Sequence, residues 1–386
     1  MRAALLLTLA LASPAAAAPC GGDFASFLSA MADEAAATGI PADAARSFIT
    51  GARQDPKVLK ADRSQGVFRK TFLDFSQSLI SKDRLSTART KSESLDALFS
   101  RAEAEYGISR GILLAFWAFE TDFGRVQGDF NTRNALATLA HDCRRPELFQ
   151  PQLIAAAMLY AHGDFGPATT GAWAGEIGMV QMLPKDIIER GVDGDGDGHV
   201  LLKTSEPDAI LSGANLLVHH GWQPGQPWLT EVSLPDSFDW SLTGLGTELP
   251  VAEWAALGVT AREGTLPDLP AATVILPQGR KGPAFLVYPN FRVLFEWNKS
   301  FTYVLTAAYF ATRIEGAVPY AAGNPDPALS LDQMKALQTK LAALGHDVGE
   351  IDGILGAGTR DAVQREQVRL GLPADAWPTV ELLNLL

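Results

Sequence analysis

The run from Gly111 to Gly124, Gly-Ile-Leu-Leu-Ala-Phe-Trp-Ala-Phe-Glu-Thr-Asp-Phe-Gly, constrains the fold more than any other stretch of the chain. With Leu113, Leu114, Phe116, Trp117 and Phe119 around it, a helix here is apolar on most faces, which predicts an interior helix. Glu120 lies near its end, where a carboxylate is costly to bury. Desolvation raises a carboxyl pKa, and a carboxyl that keeps its proton near neutral pH can give it to a leaving oxygen. That is the task of a general acid in glycosidic bond cleavage. A Glu that caps or salt-bridges a helix end is the ordinary alternative.

Met1-Arg2-Ala3 precedes an apolar run from Ala4 to Ala12 and a small-residue exit, Ser13-Pro14-Ala15-Ala16-Ala17-Ala18. This pattern predicts a secretory signal peptide over residues 1–18, too short to span a bilayer, and therefore an exported, periplasmic protein with no transmembrane segment. Pro19 stands where a small residue is expected before a lipid-bearing cysteine, which argues against an anchor on Cys20. Cys20 and Cys143 are the two cysteines of the chain, and in an exported protein they most simply form one disulfide. Two free thiols, or a lipid on Cys20 beside an inert Cys143, are the alternatives. A net charge of −12 with no basic patch argues against a sequence-independent nucleic-acid binder.

Helical spacing of Ala and Leu runs from Phe24 to about Thr50, and residues 92–106 form an amphipathic pattern with Leu95, Leu98, Phe99 and Ala102 on one stripe. Further helical stretches are predicted at 110–120, 132–140, 147–161, 206–220 and 299–314, so the main domain is mainly α. Between Pro224 and Pro289 the texture changes to Pro, Gly and short alternating segments such as 272–276 and 284–288, which predicts a small β-containing insertion. The expected division is a main domain over 19–318, a linker over 319–329 and a compact helical unit over 330–386.

Three further segments carry chemistry. Asp193-Gly-Asp-Gly-Asp-Gly-His199 places carboxylates at alternate positions with glycines between, the opening of an EF-hand-like calcium loop in which Asp193, Asp195 and Asp197 offer side chains and His199 a backbone oxygen. Thr204 occupies the twelfth position, where Glu is usual, so Glu206 or Asp208 is required to close the shell; a solvated acidic turn is the alternative. Gly175 and Gly178 permit close approach of a ligand to the segment bearing Gln181, whose amide suits sugar N-acetyl or hydroxyl groups, or else satisfies its own loop. Asn298 and Tyr303 read as an N-cap and a core residue with a wet tip, or as two groups facing a cleft.

Taken together and in this order, these segments resemble the membrane-bound lytic transglycosylase B family. The resemblance covers roughly residues 20–320: Glu120 to Gly124 matches the family's Glu-Thr/Ser-x-Tyr/Phe-Gly motif, followed by Trp173-Ala-Gly175, Gly178 with Gln181 and Pro184, the Asp193 to Gly198 loop and Asn298-x-Ser-x-x-Tyr303. It implies a lysozyme-like α fold, peptidoglycan as the partner, and Glu120 as the sole acid and base. Glu120 then protonates the β-1,4 glycosidic oxygen between N-acetylmuramic acid and N-acetylglucosamine, and its carboxylate next accepts the proton of the muramic C6 hydroxyl as that oxygen closes a 1,6-anhydro ring. It also implies substrate contacts from Gln181, Met182, Asn298 and Tyr303, a pairing of Cys20 with Cys143 as in one subgroup, and structural Ca2+ held by Asp193, Asp195, Asp197, His199 and Asp208, with no cofactor needed for the chemistry.

The chain departs from the family pattern at Ala172, where a Ser contacting the catalytic carboxyl is usual, at Glu176, where a small residue is usual, and at Met182, where an aromatic is common. Residues 330–386 are similar to the peptidoglycan-binding domain 1 family through Asp352-Gly353, Gly356 and Thr359, with Leu337, Leu341, Leu344 and Val363 as the expected core. A tethered module of this kind raises the effective substrate concentration at an insoluble polymer. The competing expectations are a lysozyme-type hydrolase using water, with Glu176 or Asp122 as second carboxylate, and a non-catalytic wall-binding scaffold.

Overall fold

The computed structural model describes residues 19–64 and 70–386; the predicted signal peptide lies outside the described residues. The chain is mostly helical with small sheets. Among the described residues no helix is long and apolar enough to cross a membrane. Two compact units form, one from the chain up to Arg63 with Gly128–Ile177 and Leu183–Glu189, the other from Ser64–Gln127, Gly178–Met182 and Arg190–Leu386.

The first unit packs the helices Phe24–Ala37, Ala42–Ile49, Thr132–His141 and Pro146–His162 around Met31, Phe48, Leu136 and Leu153. Cys20 and Cys143 form a disulfide with Cα atoms 5.3 Å apart. A two-residue ribbon pairs Phe130 with Gly171 and leads into a tight loop closed by Ala172 N–H to the Glu176 carbonyl, 3.0 Å. Gly175 adopts φ 95° and presses on the Leu136 side chain, so a Cβ there has neither the conformation nor the room.

In the second unit the predicted 92–106 helix is two helices, Lys82–Ser94 and Asp96–Tyr106, broken at Leu95. Phe99 and Ala102 of the stripe are buried. The Arg110–Thr121 helix is buried at Gly111 through Ala118 and packs against Phe301–Ile314, where Phe119 stacks on Phe310 with ring centroids 5.1 Å apart. The insertion is an antiparallel four-stranded sheet formed by Leu229–Ser233, Thr260–Ala261, Thr273–Ile275 and Ala284–Val287. Its core holds Trp254, Val274, Leu286 and Tyr288.

The C-terminal region has three helices, Leu331–Ala343, Ala357–Arg369 and Val380–Leu385, around Leu337, Leu341, Val363 and Leu382. Leu344 departs from expectation: it is the residue after the last helical turn and is 52% exposed. Residues 317–328 lack helix or strand, yet Ala321 N–H donates to Glu231 Oε1 (2.7 Å), Asn324 N–H to the Lys281 carbonyl (2.8 Å) and Tyr320 shares a 2.8 Å hydrogen bond with Ser76.

Candidate active site

The Arg110–Thr121 helix ends one residue after Glu120, and the motif residues explain how. Asp122, Phe123 and Gly124 all adopt left-handed backbone conformations, φ 53°, 60° and 83°, which stops the helix and turns the chain back. For Asp and Phe this conformation is strained, and the surroundings enforce it. Phe123 is buried edge-to-face on Trp117, with ring centroids 5.8 Å apart. Asp122 is held between Arg84 (3.1 Å) and Arg125 (2.9 Å). Partial burial raises the Asp122 carboxyl, but hydrogen bonds from those guanidinium groups outweigh it and hold the carboxyl below its usual range. Asp122 is thus a structural anion. Thr121 Oγ1 donates to the Met179 carbonyl (2.6 Å) and accepts from Gly124 N–H (2.9 Å), joining the helix end to the Gly178–Met182 segment.

Glu120 is half-buried, and two side-chain donors converge on its Oε1. Trp297 Nε1–H donates at 3.0 Å, and the Tyr303 hydroxyl donates to the same oxygen through a short hydrogen bond. Burial, then the neighbouring Glu120 charge and this hydrogen bond, push the Tyr303 phenol well above its ordinary pKa, so it stays a donor. The Trp297 indole stacks on Phe116 with centroids 4.2 Å apart and planes 17° from parallel. Gly213 makes space for that ring, since a Cβ there would come within 3.3 Å of it. Trp297 was not singled out from sequence; an indole directly before Asn298-x-Ser-x-x-Tyr303, at the end of the Pro289–Trp297 helix, was the available signal.

Gln181 has φ 53°, and its Nε2 donates to the Gly178 carbonyl (2.8 Å), with a longer contact to the Gln127 carbonyl (3.4 Å). The amide nitrogen is therefore used by the backbone, and the carbonyl oxygen is the group it can offer a sugar. Met182 requires correction: at 2% exposure it packs into the core, not toward a ligand. Asn298 is not the cap of the Phe301–Ile314 helix. Ser300 is the N-cap, and Asn298 Oδ1 accepts Ser300 N–H at 2.9 Å.

In the acidic loop, oxygens of Asp193, Asp195 and Asp197 lie within 4.8 Å of one another. Backbone N–H groups of Gly198, Gly196 and Asp197 hold the Asp193 carboxyl below its usual range. Gly196 and Gly198 take φ 80° and 92°, which lets the loop curl around its own carboxylates. His199 N–H donates to Asp197 at 2.8 Å. Asp208 corrects the expected ligand set. It is fully buried behind the loop, accepting Gly194 N–H (2.9 Å) and Leu201 N–H (2.7 Å), so its role is to join the two ends of the loop. Glu206 pairs with Lys91 at 2.6 Å and does not close the shell either. Beyond the loop, Leu202 accepts Met179 N–H (2.8 Å) and Lys203 accepts Gln127 Nε2–H (3.1 Å), so the acidic loop buttresses the segment bearing Gln181.

In the first unit, Ala172 brings no hydroxyl, and Glu176 is turned into its own loop. Burial raises the Glu176 carboxyl, against backbone hydrogen bonds from Glu176 and Ala174 and the Arg145 charge, and its Oε2 is buried without a partner among the described residues.

Comparison with known proteins places this geometry. The C-terminal residues 330–386 match a peptidoglycan binding domain. Membrane-bound lytic murein transglycosylase B of Escherichia coli is 30% identical over 217 residues, 54% of this chain; the chain spans 58% of that relative's length. The structure of SltB3 from Pseudomonas aeruginosa in complex with NAG-anhNAM-pentapeptide superposes with a TM-score of 0.86 at 36% identity, covering 95% of this chain and 99% of that one. Escherichia coli lytic transglycosylase Slt35 in complex with calcium gives a TM-score of 0.64 at 25% identity over 77% of this chain and 96% of that one. Residues 23–312, which contain the Glu120 helix, its Trp297 and Tyr303 donors and the acidic loop, match the transglycosylase SLT domain, and the chain belongs to that family.

Proposed function

We propose that this protein is an exported lytic murein transglycosylase that cleaves the β-1,4 bond between N-acetylmuramic acid and N-acetylglucosamine, with Glu120 as its single acid and base. The observation that carries this reading is the convergence of two neutral donors on Glu120 Oε1. These two donors fix the orientation of the carboxyl group. The Glu120 carboxyl delivers its proton to the glycosidic oxygen as the C1–O4 bond breaks, and the donors stabilise the carboxylate that remains. The substrate's N-acetyl carbonyl shields the positive charge at C1. The C6 hydroxyl then bonds to C1 and returns its proton to the Glu120 carboxylate, closing the 1,6-anhydro ring and restoring the acid.

This scheme needs no second carboxylate, and Asp122 is already committed to two arginines. Gln181 through its carbonyl oxygen, with Asn298 and Tyr303, contacts the sugar. Ca2+ suits the Asp193, Asp195, Asp197 and His199 loop; the donor set is hard oxygen, and the ion's contribution is structural. Residues 19–318 form the catalytic domain, 319–329 the connection and 330–386 a peptidoglycan-binding module. Mass spectrometry of products from isolated murein tests the reading: anhydromuropeptides support it, whereas products heavier by one water identify a hydrolase, and binding without products identifies a scaffold.

A further inference from the structure

The C-terminal module meets the insertion through a small set of polar contacts. Gln364 Nε2 donates to the Thr243 (2.8 Å) and Trp240 (3.2 Å) carbonyls, and Arg280 N–H donates to Asp375 Oδ2 (3.0 Å). Between these contacts a cavity of about 620 Å3 remains, lined in part by Leu245, Phe301, Arg360 and Arg365. Arg360 crosses the seam. Its guanidinium donates to the Pro277 carbonyl at 2.8 Å, reaches toward Leu276 at 3.5 Å, and lies over the Phe301 ring at 4.7 Å and the Trp377 ring at 5.9 Å. Desolvation lowers its pKa to about 10, so it is a cation at neutral pH, and a cation taken from water gains more from an aromatic face than an exposed one.

Phe301 is the first residue of the helix Phe301–Ile314 and is 8% exposed. Tyr303, two residues on, is a donor to Glu120, and on the other side Ser300 caps the helix while its N–H is held by Asn298 Oδ1. A shift of Phe301 is therefore a shift of the first turn that holds the Tyr303 hydroxyl.

We propose that Arg360, although part of the wall-binding module, is a positioning residue of the Glu120 site: its guanidinium clamps Phe301 and fixes the helix turn that presents Tyr303. This rests on the reading of Glu120 as the acid and base. The module is on this account a brace for catalysis as well as a wall anchor. The clamp depends on a planar cation, which an ammonium does not supply in the same geometry.

The test measures turnover of a soluble, peptide-free muroglycan tetrasaccharide, a substrate too short to need a separate wall anchor, by the full chain carrying Arg360→Ala, Arg360→Lys or Phe301→Leu. Each is expected to lower kcat about tenfold, the scale of a sub-ångström misplacement, with KM changed less than about twofold. Arg365→Ala, an exposed change on the same helix, is expected to leave kcat at the wild-type value. Arg360→Ala combined with Phe301→Leu should be no slower than either alone, since both remove one contact. Near-UV circular dichroism establishes that each variant is folded; if Arg360→Ala is not, Phe301→Leu decides. Unchanged kcat in folded Arg360→Ala or Phe301→Leu, or additive losses in the double variant, overturns the brace. An inactive wild type instead overturns the activity reading.

Discussion

The hydroxyl of Thr121 donates to the carbonyl of Met179 at 2.6 Å, and through that bond the residue following Glu120 holds the strand of chain that carries Gln181. Both groups are buried. The helix bearing Glu120 and the proposed sugar-binding amide are thus fixed to each other by one side chain of the Glu-Thr-Asp-Phe-Gly motif. Thr121→Val keeps the shape but strands the Met179 carbonyl, which costs about 1 to 3 kcal/mol. Thermal denaturation is expected to show a lower Tm, and kcat/KM on murein should fall several-fold. An unchanged Tm removes this joint from the account.

Trp297 and Tyr303 share one acceptor, so their effects should not add. Trp297→Phe retains an aromatic ring against Phe116 and deletes the indole donor, and Tyr303→Phe deletes the hydroxyl. Each is expected to reduce kcat by about 10- to 100-fold, the usual scale for losing one preorganised donor. The double variant should lose less than the product of the two, as groups acting on one oxygen are coupled. Steady-state kinetics of the cycle gives the answer, and strict additivity argues that one of the two bonds is not made in solution.

The acidic loop is joined to the segment bearing Gln181 through the carbonyls of Leu202 and Lys203, so an ion held there is expected to steady both. Adding Ca2+ to chelator-treated protein should raise Tm in a concentration-dependent way, because a ligand that binds only the folded state stabilises it by mass action. Asp193→Asn and Asp197→Asn should abolish that response. Asp208→Asn should lower Tm with and without the ion, since Asp208 serves the loop's backbone. A Ca2+ response that survives in Asp193→Asn contradicts the assignment.

Glu176 provides a pH dependence with a definite sign. Burial raises its carboxyl in the folded state, so above the ordinary carboxylate range the folded protein holds a proton that the unfolded chain has released. Its contribution to stability falls as pH rises from the unfolded value through the raised folded one. Glu176→Gln cannot ionise, so it should match the wild type most closely in acid and gain on it toward neutral pH. Denaturant titrations at a series of pH values check this, and parallel curves for the two proteins would show that Glu176 is not held protonated.

Much of this arrangement was legible in the sequence because its signals were local. The apolar surroundings of Glu120 marked a buried helix, and alternating Asp and Gly marked a loop that turns on its own carboxylates. What was not legible depended on partners far along the chain. Nothing near position 208 says that its carboxyl closes the acidic loop from behind, because the two backbone groups it binds lie 7 and 14 residues away. Met182 follows a glutamine forced to positive φ, and that turn, not its neighbours in sequence, sends it into the core. Trp297 was hidden for the same reason: its partner is 177 residues distant. Leu344 matched the apolar spacing of its helix, but the helix ends before it.

The most direct test of the central claim compares wild type and Glu120→Gln on isolated murein sacculi, with soluble products identified by mass and folding verified by circular dichroism. Gln keeps the size and polar contacts of the side chain but carries no transferable carboxyl proton. The account predicts anhydromuropeptides from the wild type and none above background from the folded variant, which still sediments with sacculi. Comparable product release by Glu120→Gln would contradict it, and would place the acid and base on another residue.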